Sequence, residues 1–318
     1  MLLAMHRSRI NPARNDGKNR EKNREPYQVG VVRRCKANIP SRKQKRKSVH
    51  TFHFISGLPR AGSTLLAALL RQNPRFHANM SGPVAGMVLA MLGEMSDRNE
   101  FSLFIDNDRR RRLLRGIFEN YYGDEVTADV VFDTSRVWCS KLPLMHELLP
   151  GAKTIACVRH VSWIIDSIER VVRGNALQPS SIFSYQTGGT VYSRAEGVGN
   201  AEGMVGYAYN ALKEAFYGEH AQQLMLVQYE TLVRDPAAAM AAIYEFIGEP
   251  LFQHDFENVI FDAEAFDARA GTPGLHKVHK KIALPERTTI LPPDVFRRFE
   301  NDAFWINPQT NVRNVRVV

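Results

Sequence analysis

The sequence predicts an α/β fold: a three-layer sandwich with helices over both faces of a central parallel sheet, in a single domain. Three observations carry this. Strand-like runs at 51–56 (TFHFIS), 129–133 (DVVFD), 153–159 (KTIACVR) and 224–230 (LMLVQYE) alternate with helical patterns, as parallel strands joined by crossover helices do. The first run is stopped by Gly57 and feeds a Gly-rich loop and then a helix. No internal repeat divides the chain.

The elements follow in order. From Gly62 to about Gln72, Leu65, Leu66, Leu69 and Leu70 make one apolar helical face, and Asn73-Pro74 ends it. Residues 84–95 and 108–121 read as helices. Leu142–Leu149 is a short helix stopped by Pro150-Gly151, and Val161–Arg173 is another. Residues 174–201 show no period; a segment that long is expected to be a functional lid on the acceptor side. Glu202–Tyr217 is helical, with Tyr207, Tyr209, Phe216 and Tyr217 expected in the core. Asp235 caps a helix with Pro236 at its first position. The last 50 residues are mixed, with a helix near Pro292–Asn301. In such sheets ligands bind beyond the carboxyl ends of strands, which points to 57–64, 133–141 and 159–167.

Charge divides the chain. Residues 1–48 hold 15 Lys+Arg and 3 Asp+Glu, a net +12, while the remaining 270 residues hold 27 and 30, a net −3. The basic segment has little to bury and reads as a disordered extension, leaving 49–318 as the folded domain. A nucleic-acid or anionic-membrane arm is the functional reading of the tail, and an incidental extension the plain one; stable nucleic-acid binding is not expected. Cys35, Cys139 and Cys157 lack the spacing of a disulfide framework or metal site. The longest apolar run, Val84–Leu92, is about half a membrane span, so no transmembrane segment is expected. The start, MLLAMHRSRI, is too short in apolar residues for a signal peptide. The reading is a cytoplasmic protein.

The stretch FISGLPRAGSTLLAALL, 54–70, resembles a phosphate-binding P-loop. Gly57, Gly62 and Thr64 fall at the expected positions, but Ser63 replaces the lysine and Arg60 lies inside the loop. A tight turn feeding a helix aims backbone N–H groups and the helix dipole at one spot, which suits a tetrahedral anion. The alternative is an ordinary strand-to-helix turn with a solvent-facing arginine. A P-loop kinase or NTPase remains open through Asp133, which ends a Walker-B-like strand as a magnesium ligand would. The missing lysine opposes it.

GLPRAGSTLL resembles the 5′-phosphosulfate loop of the PAPS-dependent sulfotransferases (PAPS is 3′-phosphoadenosine 5′-phosphosulfate). Their second motif, an arginine at a strand end and a serine eight residues on, is matched by Arg159 and Ser167 in CVRHVSWIIDS. DTSRVW (133–138), VQYETLVRDPAAAMAAIYEFIG (227–248) and GLHKVHKK (274–281) resemble further family segments, so the likeness spans roughly 51–300. Within the family it is similar to bacterial enzymes resembling the tyrosylprotein sulfotransferases.

The resemblance implies PAPS as donor and PAP as product, no metal, and a sulfuryl group moved to an acceptor hydroxyl. A peptide tyrosine is the first acceptor and a carbohydrate the second; a homodimer is compatible. It implies nucleotide contacts from Pro59, Arg60, Ala61, Gly62, Ser63, Thr64 and Leu65, with Arg159 and Ser167 on the 3′-phosphate and Lys277 and Lys280 in a closing loop. The catalytic base does not transfer. The tyrosylprotein branch has a glutamate about where Ser81 falls, and the cytosolic branch has a histidine where Lys141 stands. Asp133 and His77 are the candidates, with Lys141 placed to stabilise the transferring group. Asp133 is alternatively an ion-pair partner of Arg136, and His77 a surface histidine in a loop.

Overall fold

The computed structural model describes residues 50–123, 126–174, 177, 189–269, 271–283 and 286–318. The basic extension 1–48 lies outside them, as do 178–188 of the expected lid. Six strands are present among the described residues: β1 (Thr51–Gly57), β2 (Phe76–Ala78), β3 (Val130–Thr134), β4 (Thr154–Val158), β5 (Leu224–Gln228) and β6 (Arg316–Val317). They form one sheet in the order β2-β3-β1-β4-β5-β6, and every pairing is parallel.

The first helices are α1 (Ser63–Leu70), α2 (Val84–Glu94), α3 (Asn107–Tyr122) and α4 (Leu142–Leu148). Then come α5 (Val161–Gly174), α6 (Val191–Gly199), α7 (Met204–Tyr217), α8 (Tyr229–Arg234) and α9 (Pro236–Ile247). The last are α10 (Glu264–Arg269) and α11 (Pro293–Arg298).

Alternation along the central strands makes the sandwich. Side chains two apart share a face. Phe52 and Phe54 of β1, with Val131 of β3, join Phe118, Trp138 and Met145 in one apolar cluster. Ile55, Val130 and Phe132 join the larger cluster of β4, β5, α1, α5, α7 and α9. The smaller cluster is aromatic: Phe54 and Trp138 have ring centroids 5.0 Å apart, and Phe52 meets Phe118 edge-on at 5.6 Å. Each such fully buried side chain contributes about 1.5–3 kcal/mol of transfer free energy. β4 and β5 are buried along their lengths, the pattern of strands covered on both faces.

Helix ends follow local chemistry. Asp235 accepts from Ala238 N at 3.0 Å, Pro236 opens α9, and Gly248 closes it at φ 74. Asp106 caps α3 by accepting from Arg109 N at 2.7 Å.

Four readings need correction. Phe76–Ala78 is an edge strand, so His77 stands on a strand rather than in a loop; three residues are too few to show a period. The LMLVQYE run stops at Gln228, and Tyr229 and Glu230 open α8. The expected irregular segment contains α6, capped by Thr190 in a capping box with Ser193 and masked in the sequence by its glycines. Tyr207 is not core: it is 40% exposed, with its hydroxyl 3.1 Å from Ser140 Oγ, whereas Phe216 is fully buried against Phe304. Among the described residues no helix is long and apolar enough to cross a membrane.

Candidate functional site

β1 ends where the phosphate loop begins, and the backbone there is tightly constrained. Gly57 has φ 97, and a Cβ on it would lie 2.3 Å from Cys157 O. The next amide, Leu58 N, donates to that same carbonyl at 2.8 Å. Gly62 also has φ 96 and lies against Tyr229, whose ring a Cβ would meet at 3.1 Å. Arg60 holds a left-handed φ of 58 without being glycine, a strained conformation of the kind that gathers at ligand sites. No side chain caps α1, so the amides of Ser63, Thr64 and Leu65, which helical geometry leaves without internal acceptors, are not taken by a cap. Pro59 and Ala61 are buried beneath the loop, while Gly62, Ser63, Thr64 and Leu65 are half-buried.

The second motif meets this loop directly. Arg60 Nε donates to Ser167 Oγ at 3.0 Å, so the first turn beyond β1 and the second turn of α5 share one polar contact. Arg159 leaves β4 only 6% exposed. Its guanidinium lies 4.2 Å over the Tyr229 ring, and its Nε is 3.8 Å from Glu230 Oε1, too far for a hydrogen bond. That Nε is buried with no hydrogen-bond partner. Burial holds the Arg159 and Arg60 pKa values below the ordinary guanidinium value; Arg159 and Arg287 push Arg60 further down, and Arg287 pushes Arg159 down against the opposing pull of Tyr229, Glu230 and Asp166. A buried donor without a hydrogen-bond partner is unfavourable unless a ligand acceptor joins it.

A late loop closes over Arg60. Arg60 Nη1 donates to Leu275 O. The loop is pinned by Asp267, 2% exposed, which accepts from His276 N at 2.8 Å and contacts His276 Nδ1 at 2.5 Å. Lys277 and Lys280 stand exposed on the same loop. Arg60 is therefore not the solvent-facing arginine of the alternative reading. It is half-buried and holds two segments together.

On the other side of β1, the 3₁₀ turn Arg136–Lys141 carries Lys141 to the start of α4, where it is half-buried. Ser56 Oγ secures the turn by donating to Arg136 O and accepting from Cys139 N, each at 3.2 Å. Asp133 secures it from below: Trp138 Nε1 donates to Oδ1 at 2.7 Å, and Tyr122 OH donates to Oδ2 at 2.5 Å. This corrects two expectations for Asp133. Its partners are Tyr122 and Trp138 rather than Arg136, and it has 0% exposure. A carboxylate without accessible surface meets neither an acceptor hydroxyl nor a magnesium ion. The kinase reading therefore loses its ligand.

His77 is half-buried, with Nε2 3.0 Å from Asn79 Nδ2 and its ring edge-on to Tyr122 at 5.6 Å. Burial, more than the nearby Arg71 and His50, lowers its pKa and keeps it neutral at pH 7. Ser81, where the resemblance asks for a glutamate, is exposed one residue from Gly82, whose absent Cβ would stand 3.3 Å from Asp133 Oδ2.

The sequence reading missed Tyr229, Glu230, Asp267 and His276. Tyr229-Glu230 had a usable signal, since the pair follows a strand end as Arg159 does. Cys139 and Cys157 are free and buried. Among the described residues no three His, Cys, Asp or Glu side chains gather as a metal site.

A family model described as the sulfotransferase family matches residues 53–254. That span contains the loop, Arg159, Ser167 and Tyr229. Solved structures similar to the chain include the sulfotransferase domain from the curacin biosynthetic pathway, at 16% identity and TM-score 0.49, covering 81% of this chain and 97% of that one. The sulfotransferase domain of a Synechococcus olefin synthase is 19% identical with TM-score 0.43, covering 82% and 99%. A Mycobacterium avium sulfotransferase is 14% identical with TM-score 0.44, covering 82% and 77%. No curated protein matches the chain significantly.

Proposed function

The chain belongs to the sulfotransferase family, and from that premise we propose that it transfers a sulfuryl group from PAPS to an acceptor hydroxyl. The observation that carries the donor assignment is the buried Arg159 Nε, which lacks a partner beside an arginine-serine pair and a glycine loop. These residues fit a nucleotide with two separate anionic groups. The 57–65 loop and Arg60 take the 5′ end, and Arg159 and Ser167 take the 3′-phosphate. Tyr229, stacked beneath Arg159, walls the site.

When bound, PAPS supplies an already activated sulfuryl group, and PAP departs with the electron pair of the broken sulfur–oxygen bond. The chain's task is alignment and charge stabilisation. The amides of Ser63, Thr64 and Leu65 and the Arg60 guanidinium stabilise charge on the leaving oxygen. Lys141, held by the Ser56 and Asp133 contacts, faces the acceptor side and stabilises the transferring oxygens. The attacking hydroxyl must lose its proton. Of the two candidate bases only His77 has accessible surface, and it is neutral at pH 7. No step requires a metal.

The acceptor we propose is a peptide tyrosine, with a carbohydrate hydroxyl second. The support is the likeness to the tyrosylprotein branch and the lack of a carboxylate base. A phenol near pKa 10 needs less help than an alcohol. The same reading makes the protein cytoplasmic, with 49–318 as the catalytic domain and 1–48 dispensable for donor binding.

Donor affinity tests the core of this. PAP should bind the wild type, and Arg159→Ala should lose the discrimination between PAPS and APS, which lacks the 3′-phosphate. A mutant that keeps the wild-type preference refutes the assignment. Acceptor profiling with labelled PAPS, on tyrosine peptides beside oligosaccharides, tests the acceptor; label on carbohydrate alone refutes the peptide.

A further inference from the structure

The connection between α2 and α3 has its polarity inverted. In the 3₁₀ turn Glu100–Phe104 the serine, Ser102, is only 7% exposed, while Phe101, Leu103 and Phe104 are 63%, 88% and 73% exposed. Single apolar side chains in water are ordinary on a protein surface, but three large ones within four residues are not. Hydrogen bonds hold the turn in this arrangement. Asn99 Oδ1 accepts from Phe101 N at 3.0 Å, Asn99 O from Ser102 N at 2.9 Å, and Ser102 O from Ile105 N at 3.0 Å. Asp106 then caps α3, and Arg109 Nη1 donates to Phe104 O at 2.8 Å. Exposed Met87 and Leu89 on α2 and Leu113 on α3 carry the apolar character into both flanking helices. Neither donor binding nor sulfuryl transfer uses any of these side chains.

The size and charge of the turn indicate what covers it. At about 200 Å² for each large side chain, the three at the tip leave roughly 450 Å² in water. That is about half of the roughly 800 Å² that each partner brings to a stable dimer, and it is gathered on one turn instead of spread over a face. A small apolar tip of this kind suits a bilayer interface, which takes up single aromatic and leucine side chains without a complementary surface. The surrounding charge agrees. Residues 97–115 hold six arginines and four acids, a net +2. Two of those acids, Asp106 and Asp108, are paired with Arg109 and Arg111, whereas Arg98 and Arg112 are exposed. The extension 1–48 adds a net +12. Apolar insertion plus a polybasic segment is the two-signal combination that holds a protein reversibly on an anionic membrane.

We infer that the 100–104 turn inserts into the surface of an anionic phospholipid bilayer, with the basic extension as the electrostatic second signal. The attachment is peripheral and reversible. It goes beyond sulfuryl transfer and does not depend on that reading.

Cosedimentation of the full chain with phosphatidylcholine vesicles, made with and without phosphatidylglycerol, tests this. The wild type should bind the anionic vesicles, and at least about tenfold more weakly when phosphatidylglycerol is left out or the salt is raised to about 1 M. Phe101→Ser, Leu103→Ser and Phe104→Ser together should lower the affinity for anionic vesicles at least about tenfold. The melting temperature should stay unchanged, because the side chains removed are exposed. Leu103→Trp should bind like the wild type and shift its fluorescence to shorter wavelength on adding anionic vesicles, beyond any shift of the wild type. A wild type that stays in the supernatant overturns the inference. So does a triple-serine variant that binds like the wild type, since the extension alone then accounts for attachment, and so does a Leu103→Trp emission that vesicles leave where it was. A wild type that sediments as a dimer without vesicles, beside a triple-serine variant that sediments as a monomer, assigns the turn to a second copy of the chain and equally overturns it.

Discussion

Replacing Asp133 separates a structural carboxylate from a catalytic one. Asp133→Ala removes the acceptor for Tyr122 OH and Trp138 Nε1 together. Each hydrogen bond to a charged group contributes about 1.5–3 kcal/mol, so the loss is about 3–6 kcal/mol, with two buried donors left stranded. At about 2–4 °C per kcal/mol for a domain of this size, the melting temperature falls on the order of 10 °C. Asp133→Asn behaves differently. The amide oxygen still accepts from Trp138, the amide nitrogen donates to the Tyr122 oxygen, and the hydroxyl turns away. Burial raises the Asp133 pKa against the pull of its two hydrogen bonds, so removing the charge also removes a desolvation cost. The expected loss is about 1 kcal/mol, with donor affinity and kcat kept within about tenfold. Thermal unfolding followed by circular dichroism and PAPS turnover measure both. An Asp133→Asn enzyme that melts like wild type but turns over about 10²–10⁴-fold more slowly would mean that Asp133 is the base, and would refute the reasoning.

His53 should give the domain an acid-sensitive stability. Its Nδ1 accepts from Lys153 N at 3.0 Å, and burial foremost, then the Lys153 charge, lowers its pKa from 6.5 to about 4. The unfolded chain takes the proton first as pH falls, so this stability is complete above about pH 6.5 and is lost as pH falls towards 4. The swing is about 3 kcal/mol, and His53→Asn, which keeps an acceptor for Lys153 N, should flatten that slope in urea titrations across the range. Gly57→Ala combines a forbidden φ with a clash against Cys157 and should cost at least about 2 kcal/mol while abolishing PAP binding, read from the urea midpoint and calorimetry. An alanine that leaves both intact shows that the loop is not constrained as described. His77→Gln should lower kcat about 10²-fold at unchanged PAP affinity; unchanged kcat removes His77 as base.

What could be read from the chain alone tracks how local the determinants are. Gly57 and Gly62 announce themselves because a strand must turn sharply into a helix, and both adopt positive φ. Arg159 and Ser167 are legible because one strand end and two helical turns fix their relation. Tyr229 was placed in a strand because its apolar run continues into it, although the backbone turns at Gln228. His77 lies on a three-residue strand whose existence depends on pairing with β3. Asp133 showed as a polar residue at a strand end, but its partners Tyr122 and Trp138 are set by packing, so Arg136 looked equally suitable.

The sheet order has a consequence for how the chain is made. β1 is synthesised first yet sits centrally, paired to β3 from Thr51↔Val130 and to β4 from Phe54↔Thr154. The phosphate loop therefore leaves the ribosome long before Cys157, whose carbonyl it leans on. At about 5–20 residues per second, the roughly 100 residues between Gly57 and Cys157 take on the order of 5–20 s to appear. Until β3 and then β4 emerge within that interval, the apolar TFHFIS strand lacks its lateral neighbours, and such distant pairings are slow to close. Shielding of this segment during translation, as by α1 folding back over it, is what the sheet order asks for until β3 and β4 arrive.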